Sequence, residues 1–220
     1  MKRFFGALAG AAMMMAPVAA QAQLPIDPEV IVTVKNNPPY GTGGTGYEGG
    51  GGGYLANFTV NFPAPTGDRT FTDYLIWCID GGRGIGFNEP TTFELYKFSD
   101  FALNLDLKSV NGHHPDLGDL NKIASLQAAL LAGWDDPNVN RENYQGSIWS
   151  EFDGYSTYGG NNALGNIIAG DPFFDTSEYY VLWNGQSQTF LTRISEPSSA
   201  LLAFAGMGAF LVAGRRRRIS

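Results

Sequence analysis

The chain has 220 residues, a formal charge of −7, one cysteine and two histidines. A negative balance repels phosphate backbones and argues against nucleic acid as a partner. A lone cysteine excludes a disulfide framework, and two adjacent histidines with no cysteine or third histidine nearby leave a metal site incomplete.

In chain order, Lys2 and Arg3 precede the apolar stretch Phe4–Ala16 and the small-residue site Ala20-Gln21-Ala22. This is the pattern of a signal peptide (residues 1–22) cleaved after Ala22, and the rest of the chain is expected to be exported. The body, Gln23–Ile194, is about 170 residues, suited to one domain with a real core. It carries 8 basic and 20 acidic residues, net −12. Such a surface suits a solvated extracellular protein and attracts cations.

Residues 23–53 read as an N-terminal strand, β-branched at Val30-Ile31-Val32-Thr33-Val34, followed by a glycine-rich loop over Asn36–Gly53. Gly41–Gly46 fits G-x-G-x-x-G, but prolines precede it and glycines follow, so the strand and helix of a dinucleotide site are missing. The globular part is expected over 54–194. Tyr54–Phe62 alternates, with Ala56, Phe58, Val60 and Phe62 facing inward, and Pro63–Asp68 reads as a turn. Thr70–Asp80 ends in Tyr74-Leu75-Ile76-Trp77-Cys78-Ile79, a strand covered on both faces. Gly81–Gly86 is a loop with no helix after it, so it is no phosphate cradle. Thr92–Phe98 and Phe101–Val110 read as a hairpin around Ser99-Asp100, the second strand alternating with Phe101, Leu103, Leu105 and Leu107 on one face, and His113-His114 lie in an exposed turn beyond.

The period then becomes helical. From Asp116 or Asp119 as N-cap, Leu120, Ile123, Gln127, Leu130, Leu131 and Trp134 share a face, and Gly133 ends the helix. Asp135–Asn140 sets oxygens at alternate positions but lacks the central glycine and closing glutamate of a calcium loop. A second helix is predicted over Arg141–Phe152, with Tyr144, Ile148 and Phe152 on one face and Gln145 and Trp149 beside it. After a Gly/Asn/Tyr-rich stretch, Tyr179–Trp183 and Gln188–Ile194 read as a hairpin, with Asn184-Gly185 as a type I′ turn. The expected fold is mainly β (α+β), a β-sandwich or open barrel with a two-helix insertion near 116–152.

The end of the chain runs Ser195-Glu196-Pro197-Ser198-Ser199, the apolar Ala200–Ala213, Gly214 and Arg215, Arg216, Arg217, Arg218. As a helix the apolar run is about 21 Å long; with its small flanking residues it reaches the lower limit of roughly 17 for a membrane span. The arginines would hold that end in the cytoplasm. This three-part pattern resembles the PEP-CTERM sorting signal of Gram-negative bacteria, with Ser195 where the family has its first proline. The resemblance implies a 195–220 sorting segment with a short transmembrane helix and processing by an exosortase-like enzyme. It also implies transient anchoring in the inner membrane and delivery to the cell surface or an extracellular, biofilm-type matrix. Exopolysaccharide or another surface ligand is the expected partner.

Trp77-Cys78-Ile79 on a strand and Tyr144-Gln145-Gly146-Ser147-Ile148-Trp149 on a later helix resemble the paired motifs of bacterial thioester adhesin domains. The resemblance implies a bond between the Cys78 sulfur and the Gln145 side-chain carbonyl, formed with loss of ammonia, which then acylates a target surface. Trp77, Tyr144 and Trp149 would exclude water from it. Leu126-Gln127-Ala128-Ala129-Leu130-Leu131 fits the glutamine motif as well, so the partner of Cys78 is Gln145 or Gln127. No hydrolase pattern competes: there is no G-x-S-x-G elbow, and Asp135-Asp136 are too close to flank a glycosidic bond. The expectation is a non-enzymatic surface protein without cofactor or metal. Its role is structural or adhesive, with covalent adhesion through Cys78 as the alternative.

Overall fold

The computed structural model describes residues 24–36, 40–41, 52–64, 66–109, 111–154 and 168–195. The signal peptide with Ala22, and the sorting segment from Glu196 through Arg218, lie outside the described residues. Among the described residues no helix is long and apolar enough to cross a membrane.

The chain is mainly β, and its sheet closes on itself. The strands are β1 (Asp27–Val34), β2 (Tyr40–Gly41), β3 (Gly52–Phe62), β4 (Gly67–Cys78), β5 (Pro90–Lys97), β6 (Tyr179–Trp183) and β7 (Phe190–Arg193). They lie in the order β1-β5-β6-β7-β4-β3-β2, and β1 also pairs with β3. That extra pairing, Val32 opposite Phe58 and Val34 opposite Ala56, turns six antiparallel strands into a closed barrel. Closure removes the free edges that a sandwich or open barrel would leave. The first strand is therefore a stave of the domain, and the short β2 borders Gly52-Gly53 within the stretch read as loop.

Period-2 alternation fills the interior. Val30, Val32, Val34, Ala56, Phe58, Val60, Phe93, Leu95, Tyr180, Leu182 and Phe190 form one buried cluster inside the barrel. Each large member contributes about 1.5–3 kcal/mol on leaving water. A second cluster lies outside, where Trp77, Tyr96, Tyr179, Val181 and Leu191 meet three helices. These are α1 (Phe98–Leu103), α2 (Leu117–Ala132) and α3 (Arg141–Asp153), all inserted between β5 and β6.

One irregularity decides which way β4 faces. The β3–β4 register shifts between Ala56 and Phe58, and Asp73 there has φ +53°. The Asp73 N–H donates to Asn57 Oδ1 at 2.9 Å, which holds the bulge. Phe71 points inward before the bulge, and Tyr74, Ile76 and Cys78 point inward after it. Without the extra residue the parity would continue, and Trp77 rather than Cys78 would face the interior.

Several expectations are corrected. Phe101–Val110 is not the second strand of a hairpin. Phe98 and Phe101 are buried one turn apart on α1, while Leu103 and Leu105, expected inside, are 61% and 69% exposed. The alternation there was incidental, because the two phenylalanines satisfy a helical turn docked on β5 and β6. His113 and His114 are half-buried rather than exposed. The Nδ1 of His113 faces the Phe152 carbonyl at 2.9 Å, and both ring nitrogens of His114 face carbonyls, of Leu107 and Ala102. Asn184-Gly185 is not a two-residue type I′ turn. Leu182 pairs with Phe190, and only Gly185 has positive φ. The Asn184 side chain instead accepts from the N–H groups of Gln186 and Ser187, building a longer loop. The turn after β3 is also shorter than expected, since β4 already begins at Gly67.

Candidate functional site

The site forms where the last turn of β4 passes beneath α3. Both faces of the strand are buried there: Ile76, Trp77, Cys78, Ile79 and Asp80 are each 0% exposed. Trp77 points out to the helices, and Cys78 points into the barrel end beside Tyr54 and Phe190. Gly53 makes room for the indole across the β3–β4 pair, because a Cβ on it would lie 2.9 Å from the Trp77 ring.

The helices are set by local signals. Asp116 caps α2 in a reciprocal capping box with Asp119. Asn140 caps α3 by accepting from the Asn143 N–H at 3.1 Å, and Gly154 ends it in the left-handed conformation. The acidic loop 135–140 thus serves as a helix entry, with Asp136 Oδ1 accepting from the backbone and side-chain N–H of Asn138. Lys122 on α2 reaches Glu151 on α3 at 3.3 Å and links the two helices. Among the described residues no group of three or more His, Cys, Asp or Glu is placed to hold a metal ion.

Gln145, 1% exposed, lies against the strand. Its Nε2 donates to the Cys78 carbonyl at 2.9 Å, and its Oε1 accepts from the Trp77 indole N–H at 3.0 Å. One turn along α3, the Trp149 indole N–H donates to Cys78 Sγ at 3.4 Å. The thiol itself donates to the Asp80 carbonyl at 3.3 Å. Two motifs 67 residues apart therefore meet through three side-chain hydrogen bonds. Gln127, the other glutamine of matching pattern, sits buried on α2, and its Oε1 has no hydrogen-bond partner among the described residues.

Burial pushes the Cys78 thiol far above its usual range; the Trp149 N–H works against this, while the charges of Asp80 and Asp153 add to it. The sulfur is therefore a protonated thiol at neutral pH, free of any disulfide. Burial and the facing Asp153 also raise Asp80, to about 6, against the opposing pull of the Gly82 N–H, Arg83 and the Thr189 hydroxyl. Asp80 Oδ1 accepts from the Gly82 N–H and Oδ2 from the Thr189 hydroxyl. The Arg83 guanidinium lies 3.6 Å away, and Asp153 accepts from the Gly81 N–H at 3.1 Å.

Sequence reasoning missed this acidic cluster and the polar work of the two indoles. Asp80 stands two residues after the cysteine, but nothing in its neighbours signals that a β7-side hydroxyl and a helix-end carboxylate would converge on it. Comparison with protein-family models, with curated proteins and with solved structures finds no match for this chain.

Proposed function

We propose that this chain is an exported surface adhesin that attaches covalently through an internal thioester between Cys78 and Gln145. The observation that carries the proposal is the direct hydrogen bond between the Gln145 carboxamide and the Cys78 backbone, with the thiol held under Trp149. A thioester joins Sγ to Cδ and expels the amide nitrogen as ammonia. An incoming amine or hydroxyl on a target then takes the acyl group and regenerates the thiol. Burial of both partners supports the reading, because a thioester survives only where water is kept out. The tail resembling an exosortase substrate supplies the location: passage through the inner membrane, then cell surface or matrix.

Intact mass of the full chain tests the reading. The expected result is a deficit of one ammonia, abolished by Cys78→Ala and by Gln145→Ala and unaffected by Gln127→Ala. An unmodified mass with a titratable thiol after unfolding removes the thioester and leaves a noncovalent structural role. Deletion of 195–220 tests the address independently: the truncated product is expected to lose its surface location.

A further inference from the structure

We infer that Trp77 and Trp149 are catalytic hydrogen-bond donors of the thioester centre, Trp77 to the carbonyl oxygen and Trp149 to the sulfur. This rests on the thioester reading above and assigns the groups that make its chemistry fast. Formation creates the Sγ–Cδ bond, breaks the Cδ–Nε2 bond and sends the thiol proton out with the nitrogen as ammonia. Capture of an amine is the mirror image: the amine nitrogen bonds to Cδ, the C–S bond breaks, and one amine proton ends on sulfur. In both directions negative charge gathers on two atoms, Oε1 of the tetrahedral carbon and Sγ as it attacks or departs.

Each of those atoms already has a donor. The Trp77 N–H lies 3.0 Å from Oε1 of the resting carboxamide, the oxygen that takes the negative charge once the carbon becomes tetrahedral. The Trp149 N–H lies 3.4 Å from Sγ, within the longer contact that sulfur makes. Because the oxygen is the atom Trp77 holds, the carboxamide can turn about it and carry Nε2 off the Cys78 carbonyl without losing its donor. The Trp77 indole is fully buried, so its dipole acts in a low-dielectric setting where it needs no reorganisation. The choice of tryptophan is chemically apt. An indole N–H donates only and has no basic or nucleophilic atom, so it stabilises developing charge without offering a group that would hydrolyse the bond. The bulge at Asp73 sets the parity that points the Trp77 indole out toward α3, where Gln145 meets it.

The test starts from the full-length chain and methylamine as nucleophile. The wild type first shows the ammonia deficit, and the rates of methylamine capture and of thioester re-formation are then followed by mass. Trp77→Phe is expected to slow both by roughly 10²–10³-fold, and Trp149→Phe by roughly tenfold or more. Trp134→Phe, which alters the ring packed edge-on against Trp77 at 6.3 Å but leaves the Trp77 N–H, is expected to keep the wild-type rate. Replacement of Trp77 by its benzothiophene isostere, which has the same outline with sulfur in place of N–H, covers the case in which the phenylalanine variant does not fold. Capture by the isostere at the wild-type rate overturns the assignment while the thioester stands. Absence of the deficit from the wild type removes the thioester itself, and this inference with it.

Discussion

The two flanks of the barrel have opposite outer surfaces. On β1, β3 and the first half of β4, the outward residues are Ile31, Asn57, Thr59, Asn61, Thr70 and Thr72, exposed or half-buried, and Thr59 and Thr70 hydrogen-bond across the strands. On β5, β6, β7 and the end of β4, the outward residues are Tyr96, Tyr179, Val181, Leu191 and Trp77, packed under α1, α2 and α3. The interior is alike on both sides; the outside is not. β4 runs from the bare flank to the covered one, and Cys78 lies at its covered end. The comparison teaches that the end of β4, like β6 and β7, is desolvated from both faces at once, which is what the proposed thioester and a strong N–H donor would each require.

Breaking the covered flank is expected to have the largest effect. Phe152, fully buried on α3, stacks against Phe101 at 6.2 Å. Phe152→Ala should cost about 3–5 kcal/mol, read as a lower urea midpoint, and should loosen the Gln145 contact with it. The next effect concerns charge. Folding raises Asp80 from 3.8 to about 6, so the folded protein holds this proton more tightly than the unfolded chain. The resulting stabilisation is present below about pH 4 and lost as pH rises through about 6, a change on the order of 3 kcal/mol. Asp80→Asn should flatten that part of the stability profile, measured as denaturation midpoints across the window, and an unchanged slope would assign it to another group. The smallest effect belongs to the bare flank. Ile31, 59% exposed, should tolerate Ile31→Thr within about 0.5 kcal/mol. A loss as large as that of Phe152→Ala would mean that this face is covered after all.

The bulge gives the comparison its physical basis. A β-branched run was readable at β1 and side-chain alternation along β3, and the buried run Tyr74–Ile79 was readable as a strand covered on both sides. The helix after Asp116 was readable from its cap and spacing, and the helix from Arg141 from spacing alone. That Gln145 would lie beside the Cys78 segment was suggested by a resemblance between two short motifs, although Gln127 fitted equally well. The failures have physical causes. Phe101, Leu103, Leu105 and Leu107 alternate as a strand would, but Phe98 and Phe101 had a better use one helical turn apart. Asn184-Gly185 is a turn dipeptide, but the side chain of Asn184 organised a wider loop.

Local chemistry was enough to determine a β-rich body, its helical insertion and the end of the first long helix at Gly133, because propensity, capping and alternation act over a few residues. Closure of the barrel, the direction in which Cys78 points, the selection of Gln145 over Gln127 as the glutamine beside it, and the convergence of Asp80, Arg83 and Asp153 were decided in three dimensions. Each depends on contacts between segments tens of residues apart, and on one extra residue at Asp73 whose effect on parity appears only once β3 and β4 are paired.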